Sequence, residues 1–301
     1  MPSALVIRTA GTNCDAEMVR AFEVAGARAT LLHLDRLIAD PARLDAFELI
    51  AFPGGFSYGD DVASGRIFAM RLRTHLYPAL RKAAQRGVLM IGACNGFQVM
   101  VQAGLLPGPA SGQWPQEAPP QETSLTFNAG GRFIDRWVEV EPDPRSVCLW
   151  TRGLCEAFGP PTSSTARDVM RLPIAHGEGR FVAASPAVID RLRAAGQIAL
   201  RYAARDNPNG SSDDVAGICD PSGRIFALMP HPERYLDWNR HPYWTRLDAS
   251  VRGWATPGRK IFENAVGAAR RGLSGQVSGL ESEILTPTPQ VYGTAAPRQP
   301  V

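Results

Sequence analysis

Along the first hundred positions, apolar residues gather into short runs separated by segments with helical spacing. "ALVIRT" (4–9) is a compact apolar run closed by Ala-Gly-Thr-Asn. "CDAEMVRAFEVAGA" follows with apolar positions three and four apart until Gly26 stops it, so strand, turn and helix are expected in that order. "RATLLHL" and "FELIAF" (47–52) read as further strands. After "PGGFSYGDD", the stretch "RIFAMRLRTHLYPALRKAAQRG" predicts one long amphipathic helix ended by Gly87, and "VLMIG" a buried central strand. Strands alternating with helices imply parallel pairing, because a crossover must return the chain to the same edge of the sheet. The expected fold is α/β: a doubly wound, mostly parallel sheet flanked by helices.

The pattern changes in the middle. "LLPGPASGQWPQEAPPQETS" (105–124), rich in Pro, Gly and Gln, predicts an exposed, mobile loop. "RFIDRWVEVEP" alternates apolar and polar residues as a half-solvated antiparallel strand does, and "GPPTSSTARD" reads as a second loop. "DDVAGICD" and "RIFALMP" flank a Pro-Ser-Gly turn and predict a hairpin, so antiparallel strands are added to the sheet. "GRKIFENAVGAARRG" (258–272) supplies a last helix. From Leu273 onward Ser, Gly, Pro and Thr rise without periodicity, which predicts one folded domain over 1–272 and a disordered tail over 273–301.

Composition adds exclusions. In 301 residues, 45% are hydrophobic and 20% charged, so the chain has apolar surface enough for a core. The net charge of +3 comes from interspersed acids and bases without a Lys/Arg block, which argues against nucleic-acid binding and leaves small acidic substrates open. No apolar run is long enough to span a bilayer, and "MPSALVIRTAG" lacks a basic leader, so a cytoplasmic protein without membrane contact is expected. Five cysteines (14, 94, 148, 155 and 219) with no CxxC pair make disulfide and metal frameworks unexpected; Cys14, Cys148, Cys155 and Cys219 read as core or loop residues. The aromatic "YLDWNRHPYWTRL" (235–247) and "DRWVEV" read as packing more than as partner surfaces.

The chemistry begins at "GVLMIGACNGFQVM" (87–100), where an apolar strand stops at Gly-Ala-Cys-Asn-Gly and resumes as a helix. A Gly-x-Cys-x-Gly turn in this setting has the form of a nucleophile elbow, with Cys94 presented at its tip and the helix N-terminus favouring the reactive thiolate. A lone cysteine is ordinarily a small buried hydrophobe; the flanking glycines favour the nucleophile. Such a thiol needs a base and an orienting carboxylate. Two stretches offer both, "AHGEG" (His176, Glu178) and "PHPER" (His231, Glu233). The prolines around His231 stiffen the end of a strand, where open α/β sheets bind ligands, which favours it without excluding His176 as a base or pocket residue. Gly54 and Gly55 in "FPGGFSYGDD", with the Asn95 N–H, are candidates for an oxyanion hole. No G-x-x-x-x-G-K-[ST] or G-x-G-x-x-G occurs, so no nucleotide site is expected in this chain.

Taken in order, "GTNCD", "PGGFSYGDD", "GACNGFQ", "IAHGEGRF", "DNPNGSSDDVAGI" and "MPHPER" resemble the glutaminase subunits of phosphoribosylformylglycinamidine synthase, members of the class I, or triad, glutamine amidotransferases, over about residues 4–270. The resemblance implies Cys94 as nucleophile, His231 as base, Glu233 as orienting carboxylate, Gly54 and Gly55 at the oxyanion hole, and Gln98 near bound L-glutamine. Asn128 and Phe133 match a family segment close to the site or partner. It further implies no cofactor in this chain, a partner synthetase subunit carrying ATP and Mg, and a small accessory subunit, so a stand-alone glutaminase subunit is expected. Ala10 stands where the family has proline, the Pro-rich 107–121 is longer than usual, and the tail is extra. Rival readings are the glutaminase of a synthetase for cytidine or guanine nucleotides or carbamoyl phosphate, a γ-glutamyl hydrolase, or a silent binding module; "GFSYGDD" and "IAHGEGRF" resemble the purine family specifically.

Overall fold

The computed structural model describes residues 1–275 of the chain, with side chains to residue 272. The strands are β1 Ser3–Arg8, β2 Arg28–His33, β3 Leu49–Phe52, β4 Leu89–Ala93, β5 Thr123–Thr126, β6 Ile134–Pro142, β7 Arg171–His176, β8 Arg180–Ala183, β9 Ile198–Tyr202, β10 Val215–Cys219 and β11 Ile225–Leu228. The helices are α1 Asp15–Val24, α2 Leu34–Ala39, α3 Arg66–Arg71, α4 Tyr77–Gln85, α5 Asn95–Gln102, α6 Leu154–Phe158, α7 Ser164–Val169, α8 Pro186–Ala194 and α9 Pro257–Gly275.

Nine strands form one sheet in the order β2-β1-β3-β4-β11-β10-β9-β6-β7, and β5 pairs with β8 beside it. The half from β2 to β11 is parallel, and the half from β11 to β7 is antiparallel. The doubly wound parallel core with an antiparallel addition is therefore present. Alternate residues of each central strand face opposite sides: Ala4, Val6, Leu49, Ala51, Ile91 and Phe226 pack toward α1 and α9, whereas Leu5, Ile7, Ile50, Phe52, Met90 and Ile225 pack toward α3, α4, α5 and α8. Both faces of the sheet are covered, which is why the central strands read as uninterrupted apolar runs.

Four sequence expectations change. The long helix after "PGGFSYGDD" is broken into α3, a π-helical turn at Leu72–Leu76, and α4. Pro78 lacks the N–H that would bond the Thr74 carbonyl, so the continuous α ladder is interrupted there. "GPPTSSTARD" is a loop only to Ser163, whose hydroxyl accepts the Ala166 N–H and caps α7. Leu105 and Leu106, at the start of the Pro-rich stretch, are buried in the core, and Arg73 donates to the carbonyls of Ala118 and Pro119 within it. The aromatic stretch divides: Tyr235 is buried against Trp137 and His241, while Tyr243 and Trp244 are exposed. The expected tail falls largely outside the described residues. None of the described helices is long and apolar enough to cross a membrane.

Candidate active site

The candidate site lies at the carboxyl edge of the parallel strands, where β3, β4 and β11 end side by side. β4 runs into Cys94, whose backbone takes φ 52° and ψ −109° before α5 begins at Asn95. A positive φ in a residue with a side chain is strained, at a cost on the order of 1–3 kcal/mol, and is the backbone signature of a nucleophile elbow. The Cys94 N–H donates to Leu228 O at 2.9 Å, and its carbonyl accepts from Phe97 N at 2.9 Å, which hold the turn from both sides. The flanking glycines serve the approach of α5 to the sheet. A Cβ on Gly96 would lie 1.8 Å from Phe52 O, and one on Gly92 2.5 Å from the Met100 sulfur.

Cys94 is only 5% exposed, less than an elbow tip read from sequence suggests, yet it lines a cavity of about 290 Å³ together with Gly55, Asp60, Gln98, His176 and Glu178. Arg132 and Phe133 stand at the mouth, where Phe133 stacks on Phe56 at 6.3 Å.

His231 follows β11 and is not among the residues that line the cavity. Its backbone N–H donates to Pro173 O at 2.8 Å, and its Nδ1 lies 2.6 Å from Glu233 Oε1, with both side chains buried. An ionised carboxylate only accepts, so Nδ1 carries the proton and Nε2 is the nitrogen left for chemistry. Burial opposes charge on this imidazole, but Glu233, Cys94 and Cys14 together outweigh it and hold its pKa well above the usual range. Cys94 Cβ and His231 Cε1 lie 3.3 and 2.7 Å from the point where a Cβ on Gly54 would stand, so any side chain at 54 would wedge between them. Gly55 has φ +133°, a conformation that favours glycine. Gly54 and Gly55 thus bring backbone to the thiol, and the Asn95 N–H opens α5, where first-turn donors have no partner inside the helix. The Asn95 side chain donates to Gln98 Oε1 at 2.9 Å, and Gln98 donates to Glu178 O at 2.6 Å, which holds Gln98 along the cavity.

The rival pair His176 and Glu178 does not assemble. His176 Nδ1 is bonded to Asn128 Oδ1 at 3.1 Å, and Glu178 accepts from the Ser64 N–H at 3.4 Å. Burial first, then the nearby positive charge of His231, push the His176 pKa down to about 4. This imidazole is therefore neutral in the folded chain, while unfolded it takes a proton near pH 6.5. A group whose folded pKa is depressed in this way favours unfolding as pH falls, so stability is complete above about 6.5 and declines from there toward 4, by an amount on the order of 3 kcal/mol. In denaturant titrations, the wild type is expected to lose about 2 kcal/mol more between pH 7 and 4.5 than His176→Asn does; parallel losses would refute the assignment.

Two site residues were not found by reading the sequence. Asp60, with φ 52°, lines the cavity; burial raises its pKa, countered by hydrogen bonds from Ser64, the Gly65 backbone and Asn95. Cys14, read as a core or loop residue, lies beside His231, its Sγ accepting from Arg234 Nη2 at 3.0 Å. "GFSYGDD" and "GTNCD" carried both, but neither spacing nor composition assigns them a partner. Cys148, Cys155 and Cys219 are free and away from this cavity.

A strained cysteine between a strand and a helix at the edge of a parallel sheet is a nucleophile elbow, and the family in which this chain carries it is that of the glutamine amidotransferases. The chain belongs to that family, matching the CobB/CobQ-like glutamine amidotransferase domain over residues 1–267. Among its relatives, the phosphoribosylformylglycinamidine synthase subunit PurQ of Dehalococcoides mccartyi is 42% identical over 272 residues, covering 89% of this chain and 97% of the relative. PurQ of Methanococcus maripaludis strain C7 is 37% identical over 283 residues, covering 88% and 97%. Among solved structures, PurLQS from Thermotoga maritima matches with a TM-score of 0.62 at 30% identity, covering 89% of this chain and 98% of that one. The glutaminase domain of Trypanosoma brucei CTPS with bound acivicin shares the fold, with a TM-score of 0.51 at 16% identity.

Proposed function

We propose that this chain is the glutaminase subunit of a phosphoribosylformylglycinamidine synthase, hydrolysing L-glutamine to glutamate and passing ammonia to a synthetase subunit that makes formylglycinamidine ribonucleotide from formylglycinamide ribonucleotide in purine biosynthesis. The observation that carries this reading is the 42% identity across 97% of a PurQ subunit, together with the purine-type motifs. The amidotransferase domain is taken as 1–272, the assembly as including a small accessory subunit, its place as the cytoplasm, and ATP and Mg as belonging to the synthetase.

In this reading the cavity receives the amino acid. Asp60 and Glu178 suit its ammonium group, and Arg132 at the mouth suits its carboxylate. Cys94 Sγ attacks the side-chain amide carbon with the thiol proton already held on His231 Nε2, and negative charge develops on the amide oxygen facing the N–H groups of Gly54, Gly55 and Asn95. The C–N bond then breaks, His231 returns the proton to the departing nitrogen, and ammonia leaves a thioester on Cys94. Water, deprotonated by the same imidazole, resolves the thioester to glutamate. Glu233 keeps the ring in the required tautomer throughout.

The test is reconstitution with a purified synthetase and accessory subunit, assayed for formylglycinamidine ribonucleotide with glutamine or with ammonium salt. Glutamine-dependent turnover that requires this chain is the expected result. A synthetase that stays dependent on ammonium salt in its presence overturns the reading, and supply of ammonia to a cytidine or guanine nucleotide synthetase instead would replace it.

A further inference from the structure

Cys14 occupies the position before α1 and is 1% exposed. Its N–H donates to Gly54 O at 3.3 Å, which ties its loop to the turn beside Cys94. Its sulfur lies 3.2 Å from Asn13 Oδ1 and accepts from Arg234 Nη2 at 3.0 Å. Cys14 Sγ, a His231 ring nitrogen and a Glu233 carboxylate oxygen all lie within 4.8 Å of one another. Arg234 in turn reaches Glu17 on α1 at 4.0 Å. Cys14 Sγ and Cys94 Cβ lie 3.2 and 3.3 Å from the point where a Cβ on Gly54 would stand, and His231 Cε1 lies 2.7 Å from it, so both cysteines gather near the same edge of the ring.

We propose that Cys14, anchored by Arg234, is a positioning residue for the glutaminase reaction: it braces the His231 imidazole near the ring edge that also faces Cys94 and holds it in place during acyl transfer. The inference rests on the function proposed above. Its physical basis is that the Glu233 bond at Nδ1 does not by itself set the angle of the ring about that bond. A second contact at the ring edge limits that rotation, and a polarisable sulfur held by a guanidinium fills that place. The charged or titratable groups around His231 are Glu233 beside it, Cys94 on the elbow, Cys14 and its partner Arg234, and neutral His176. Of these, Cys14 and Arg234 have no role in the bond-making steps.

The experiment uses the reconstituted complex, with ammonium-dependent turnover as the internal control. Cys14→Ala is expected to lower glutamine-dependent kcat by about 10- to 100-fold, as misplacement of a catalytic group does, with KM for glutamine changed less than about threefold and ammonium-dependent turnover unchanged. Because Cys14 is one of the groups that raise the His231 pKa, the alkaline limb of the kcat/KM profile should move to lower pH in Cys14→Ala. Cys14→Ser, which keeps a polar atom for Arg234, should recover most of the rate and return the limb toward the wild-type position. A Cys14→Ala complex with wild-type kcat and pH profile overturns the proposal, as does an equal loss in Ser and Ala variants with the profile unmoved. Absence of glutamine-dependent turnover in the wild-type complex would instead overturn the functional reading itself.

Discussion

Cys94→Ala is expected to lower glutamine-dependent turnover of the complex by about 10³-fold or more, as removal of a covalent nucleophile does, while ammonium-dependent turnover stays at the wild-type level. The size follows from the chemistry: without the sulfur no thioester forms, and a water molecule in the cavity has neither its nucleophilicity nor its fixed position on the elbow. Folding should survive, because alanine removes one sulfur atom at the edge of a cavity and the close approaches at Gly92 and Gly96 are untouched. Equal thermal melting of variant and wild type checks that. Selective labelling by a glutamine-analogue electrophile provides a second readout, expected at Cys94 in the wild type and lost in the variant. Retained glutamine-dependent turnover in Cys94→Ala would remove the central assignment.

The second large effect separates the two histidines. His231→Asn is expected to reduce glutamine-dependent kcat by about 10²- to 10⁴-fold, the range for losing a positioned acid–base group. His176→Asn is expected to leave kcat within about tenfold of wild type and act chiefly on KM, since its ring lines the cavity and is tied to Asn128. The pH dependence carries the same distinction. Burial lowers the His231 pKa, but Glu233 leads the groups that raise it, so His231 keeps its proton as pH rises past the ordinary imidazole range. A raised folded pKa means that its stabilising charge is fully present below the unfolded value and is lost only as pH climbs through the folded one. Glu233→Gln removes the leading support, so the alkaline limb of kcat/KM should shift to lower pH. If His176→Asn abolishes thioester formation and His231→Asn does not, the roles are reversed.

Some of this was legible in the residues and some was not, for reasons that can be named. The parallel core was readable because strands covered on both faces need apolar side chains at every position, and "ALVIR", "LIAF" and "LMIGA" supply them. Cys94 was readable because a strand-to-helix turn this tight requires small residues on both sides. The break in the helix at Leu72–Leu76 was present in Pro78, yet the strongly periodic apolar pattern around it masked the missing N–H.

The flanking prolines and the family resemblance favoured His231 over His176, but local spacing does not separate them, since each has a carboxylate two positions on. What separates them is partnership: Glu233 folds back onto Nδ1 of His231, whereas the Glu178 carboxylate faces Ser64 and His176 is claimed by Asn128, 48 positions away in the chain. Cys14 and Asp60 entered the site in the same way, through contacts that local spacing does not encode. The sequence by itself determined which segments become buried strands and where the chain must turn, because burial and backbone sterics act over a few neighbouring residues. Only the tertiary structure decided which polar side chains meet, because a hydrogen bond between distant segments depends on sheet order and register.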